Sequence, residues 1–138
     1  MSYPEDLIPQ ESGSDALSGL SLQRREELVA NAIVYCVKKG YSAFMLKEFD
    51  NDAFAARERI TREAVELTNF YATGIRKGVT EITASFYETG DTLTVPRPVA
   101  PGADGIAASL VSAFQSVSLE RPKKLNDAFK LLKGLRPQ

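Results

Sequence analysis

Between Ser21 and Gly40, apolar side chains recur at steps of three and four, at Leu22, Val29, Ile33, Cys36 and Val37. That spacing puts them on one side of a helix, and Ser21 is a favourable N-cap while Gly40 is a favourable stop. Glu26 and Glu27 fall in the early turns and Lys38 and Lys39 in the last, as the helix dipole prefers. The next stretch, Tyr41 to Phe49, holds Phe44, Met45, Leu46 and Phe49 and reads as a further helical turn folded onto the core.

A second helical stripe starts after Asp50 or Asn51 and runs through Ala53, Ala56, Ile60, Ala64, Leu67 and Tyr71. It resumes in phase beyond Gly74 at Ile75, Gly78 or Val79, Ile82 and Phe86, which favours one helix from about 52 to 88. The rival is a β-hairpin over 79–95, because Val79 to Tyr87 is rich in β-branched and aromatic residues and Thr89-Gly90-Asp91 could turn it into Thr92 to Val95. Pro96, Pro98, Pro101 and Gly102 then exclude a helix and mark an extended crossing loop to Asp104, of the kind that often serves as a binding arm. Asp104 reads as the cap of a helix through Ile106, Leu110, Val111, Phe114 and Val117. Pro122 reads as the first position of a last helix, with Leu125, Phe129 and Leu132, stopping at Gly134.

The expected fold is therefore mainly α, a bundle of four to five helices forming one domain over residues 21–138, with the hairpin at 79–95 as its open question. Residues 1–20 differ in kind. They combine Pro4, Pro9, Gly13, Gly19 and four acids with little apolar material, and read as a flexible acidic arm. Leu7, Ile8 and Leu17 are its apolar anchors, suited to docking on a neighbouring surface.

Composition narrows the chemistry. The 138 residues include no His and one Cys. His-based triads, His-containing metal sites and the one side chain that titrates near neutrality all drop out. Cys36 falls on an apolar stripe, where a thiol is buried and inert, and a lone cysteine makes a reducing, cytoplasmic-type compartment the simpler expectation. The first 20 residues lack the basic start and apolar middle of a secretory signal, and apolar runs are too short to span a bilayer.

Several weak motifs have bland readings. Asp50-Asn51-Asp52 lacks the glycine and glutamate of a calcium loop and reads as a helix cap. Glu63 and Glu66 share a helix face without the histidine a di-metal bundle adds. Gly102-Ala103-Asp104-Gly105 has the glycine spacing of phosphate- and RNA-binding loops but no Walker lysine, and reads as a turn plus cap. Gly74 and Gly78 are spaced to let a second helix approach. No constellation points to a reaction centre, so neither a catalytic residue nor a cofactor or metal is expected.

Charge carries the functional expectation. Residues 1–20 hold four acids and no base, whereas residues 121–138 hold six bases and one acid, within a net charge of −1. A near-neutral average thus conceals an acidic head and a basic tail. The leading expectation is a non-enzymatic structural or assembly subunit. Its acidic arm would lie on Arg121, Lys123, Lys124, Lys130, Lys133 and Arg136 of another copy, head to tail, or it would dock on another protein. One alternative is a nucleic-acid-associated protein gripping phosphates through Arg57, Arg59, Arg62, Arg76, Lys77 and the basic tail, against which stand a pI of about 5.5 and interleaved glutamates. Another is a small-molecule-binding helical protein with a pocket between the second and fourth helices. A membrane partner is not expected, since the last helix is a weak amphipathic anchor.

Overall fold

A computed structural model of the chain describes residue 8 and residues 17–39, 53–86 and 89–130, with backbone alone at 53, 84–86 and 89–91. Among these residues the protein is mainly helical, with four α-helices and one two-stranded antiparallel sheet: α1 (Leu22–Lys38), α2 (Ala53–Arg76), β1 (Glu81–Phe86), β2 (Thr89–Thr94), α3 (Gly102–Phe114) and α4 (Leu125–Lys130). The readings of Gly40, of Tyr41 to Phe49, of Asp50-Asn51-Asp52, and of Leu132 and Gly134 lie outside the described residues.

Helix α1 is the hub. Ser21 caps it, its hydroxyl accepting from the Arg24 amide at 3.1 Å. Every residue from Leu28 to Cys36 is buried, because α2, α3 and α4 all pack on this one helix. A helix covered on all sides must be apolar nearly all round, and Leu28 to Cys36 is so apart from Asn31. Phe114, at the end of α3, lies 5.2 Å from the Tyr35 ring of α1 and 6.1 Å from the Tyr71 ring of α2, which ties the three longest helices together. Cys36 is buried in this core, as its stripe position predicts.

The continuous helix from 52 to 88 is not formed; the hairpin is. Gly78 adopts φ +87, its amide donates to the Ile75 carbonyl at 2.9 Å, and the Val79 amide reaches back to the Gly74 carbonyl at 3.0 Å. This pair of bonds is the Schellman arrangement, and it ends α2 at Arg76 even though the apolar stripe stays in phase beyond it. Nothing crowds a Cβ at Gly78, so its cost there is backbone strain alone. Gly78→Ala is expected to lose about 1 kcal/mol and Gly78→Asn less, since asparagine tolerates this conformation better. Paired urea titrations check the order.

The strands alternate as a sheet with one covered face should: Ile82 and Leu93 are paired and buried, while Thr83 and Thr92 are exposed with their hydroxyls 2.8 Å apart. That register pairs Phe86 with Thr89 and Ser85 with Gly90. Thr89, Gly90 and Asp91 therefore belong to β2, and the turn expected at these three residues is strand instead. Both inward residues can share the core only in this register. Gly74 admits a partner closely, but it is the Ile82 side chain of β1 and not a second helix: a Cβ at Gly74 would meet Ile82 Cδ1 at 2.8 Å.

Helix α3 begins at Gly102, earlier than the expected loop to Asp104 allows. The extended residue before it, hence the N-cap, is Pro101 (φ −76, ψ 161), and Asp104 sits in the first turn, where its charge suits the dipole. The loop in front of α3 exposes Val99 completely. Helix α3 gives way after Phe114 to a 3-10 turn, Gln115–Val117.

Candidate docking surface

The segment from Gln115 to Leu125 is strapped to α1 by polar bonds. Asn31, buried in the middle of α1, donates through Nδ2 to the carbonyls of Glu27 at 2.8 Å and Pro122 at 3.0 Å, while its Oδ1 accepts from Gln115 Nε2 at 3.2 Å. Further along, the Glu26 carboxylate accepts the Leu125 amide at 2.9 Å. These bonds move the start of the last helix. Pro122, expected as its first residue, is a buried strap residue, and α4 begins three residues later, where Glu26 satisfies a leading amide.

The strap sets how the basic segment is displayed. Leu125, Ala128 and Phe129 turn inward, whereas Arg121, Lys123, Lys124 and Lys130 are exposed. None of these four forms an ion pair among the described residues. Arg121 instead donates Nη1 to the carbonyls of Ser118 at 2.5 Å and Glu120 at 3.0 Å, which stiffens the bend before Pro122. Leu119, at the tip of the bend, is 92% exposed.

Behind that tip, Lys38 of α1 and residues 115–121 wall a concavity of about 640 Å³. Glu120 sits in its wall. A hydrogen bond from the Ser118 hydroxyl holds the Glu120 carboxyl below the usual carboxylate range, with its own backbone amide and the charges of Lys38 and Arg121 adding to the effect.

The other residues singled out in the sequence are placed differently. Ile8 and Leu17 are both buried in this chain's own core, and the buried Arg25 guanidinium donates to the Leu17 carbonyl at 2.8 Å. Two of the three anchors expected to reach a neighbour are thus held at home. Leu7, Lys133 and Arg136 lie outside the described residues.

The arginines of α2 are largely engaged. Arg59 pairs with Glu63 at 3.0 Å, Arg62 with Glu58 at 3.3 Å, and Arg57 lies 5.5 Å from the centre of the Phe129 ring of α4. Arg76 and Lys77 are exposed. At 1.5 Å per residue, Arg76 stands about 28 Å along the axis from Arg57, so the two ends of α2 do not form one compact patch.

Between α2 and α4, the second and fourth helices, the Arg57 guanidinium lies over the Phe129 ring. Among the described residues no three His, Cys, Asp or Glu side chains cluster as metal ligands, and no helix is long and apolar enough to cross a membrane. Comparison with protein families, curated proteins and solved structures finds no match to this chain.

Asn31, Glu26, Gln115 and Leu119 were not legible as site residues one by one. The signal in reach was Asn31, a lone polar residue in an apolar run from Leu28 to Val37, since a buried amide needs partners.

Proposed function

We propose that the protein is a non-enzymatic docking subunit that self-assembles head to tail, offering the basic segment after α3 to the acidic N-terminal region of another copy. The observation that carries this reading is the display of Arg121, Lys123, Lys124 and Lys130, exposed and without ion pairs among the described residues, on a segment fixed to α1 by Asn31 and Glu26. Cations on a rigid base attract an acidic partner without first having to be ordered, and the chain carries that partner in its own Glu5, Asp6, Glu11 and Asp15. Such a contact joins two different surfaces, so it propagates into a ring or a filament.

The nucleic-acid reading has less behind it, because Arg57, Arg59 and Arg62 already have partners within the fold. Reversing the charges that lie off the concavity, with Lys123→Glu, Lys124→Glu and Lys130→Glu together, is expected to weaken self-association by about tenfold or more, equivalent to roughly 1.4 kcal/mol. Light scattering on the eluting protein measures it. An unchanged association constant in the triple variant would remove the basic segment from the interface.

A further inference from the structure

We propose that the concavity beside the C-terminal end of α1 receives residues 1–7 of a second copy, Met1-Ser2-Tyr3-Pro4-Glu5-Asp6-Leu7; this deepens the docking reading above and rests on it. The wall carries two cations, Lys38 and Arg121, against one carboxylate, Glu120, and Lys123 and Lys124 follow immediately. The Glu120 carboxylate is already engaged by the Ser118 hydroxyl, and the Lys38 and Arg121 charges lie near it. The net field at the mouth is therefore positive, and the bare Leu119 side chain stands beside it. A cationic hollow with one exposed leucine matches a short acidic peptide that carries an apolar residue next to its acids.

Within this chain, Glu5-Asp6-Leu7 has that composition. Its position also favours it. Ile8 and Leu17 are both seated in their own core; in the sequence Glu11 and Asp15 fall between them, whereas residues 1–7 precede both. Seven extended residues reach at most about 25 Å from Ile8, enough to cross to an adjoining copy.

The test is sedimentation velocity on the full chain at about 50 mM salt, where exposed charge pairs are least screened. It uses one variant with Lys38→Glu and Arg121→Glu and another with Glu5→Lys and Asp6→Lys. Each alone is expected to associate about tenfold more weakly than the parent. An equimolar mixture is expected to regain association, because each variant then offers the other a complementary pair, and a misfolded variant could not produce that recovery. Parent-like association of the Lys38→Glu, Arg121→Glu variant, or a mixture no tighter than its components, overturns the proposal. If that variant is parent-like while the Lys123, Lys124 and Lys130 reversal dissociates the protein, this site fails and the docking reading stands. A parent chain that is monomeric throughout defeats both.

Discussion

Phe114→Ala is expected to destabilise the protein by about 3–5 kcal/mol, a large fraction of the roughly 5–15 kcal/mol that holds a domain folded. Phe114 is 1% exposed and its ring meets both Tyr35 and Tyr71, so truncation opens a cavity at the point where α1, α2 and α3 converge. The surrounding rings cannot all collapse into it, because each is fixed to a different helix. The loss also reaches the docking surface, since Gln115, the next residue, bonds Asn31 and begins the strap. Urea unfolding followed by circular dichroism reads the stability. Phe114→Leu, which leaves a smaller hole, should fall between the parent and the alanine variant.

Gly105→Ala should be destabilising by about 2–3 kcal/mol, although helix propensity alone would make alanine the better residue by about 1 kcal/mol. A Cβ at this position would lie 1.8 Å from the Ala100 carbonyl oxygen and 2.7 Å from its carbon. Both atoms belong to the backbone, so relief requires shifting the Pro-rich approach to α3 and not merely rotating a side chain. A thermal melt with the transition lowered by several degrees is the expected result. A raised transition would show that residues 98–101 yield easily and are not held against the first turn of α3.

Much of the helical architecture was legible because packing and periodicity agree. Helix α1 starts just after the capping serine, and of its stripe Val29, Ile33 and Cys36 are buried, Val37 is half-buried and Leu22 is exposed. The stripe of α2 likewise places Ala56, Ile60, Ala64, Leu67 and Tyr71 in the core. The pattern misled beyond Arg76, because Ile82 and Phe86 remain in helical phase while Ile82 also satisfies the alternation of a strand. What decides is the left-handed turn at Gly78, a backbone property that glycine permits and does not advertise. The strap was hidden for another reason. Asn31 meets Gln115 and Pro122 across 84 and 91 residues of sequence, and Glu26 meets Leu125 across 99, so no local pattern announces them.

The acidic and basic ends were plain in the sequence, but the role of the apolar residues near the acidic end was not. Leu17 and Ile8 look like docking anchors when the first 20 residues are taken as an arm, and burial in their own core reverses that assignment. The finding changes how assembly must be probed. Deleting residues 1–20 would strip Ile8, Leu17 and Leu20 from the core and remove the Arg25 contact, so dissociation of a truncated chain would report damage and not the loss of a docking arm. Replacing Glu5 and Glu11 by Gln and Asp6 and Asp15 by Asn removes the charge and leaves the buried side chains in place.

The most direct test of charge-directed assembly is the molar mass of the full chain, measured by light scattering during size-exclusion chromatography from about 50 mM to 1 M salt. Across that range the screening length falls from above 10 Å to about 3 Å. The expected result is an oligomer at low salt that dissociates as salt rises, and that is already monomeric at low salt when the four acids are neutralised. A single mass of one chain at every salt concentration, or an oligomer indifferent both to salt and to the loss of those acids, would contradict the account.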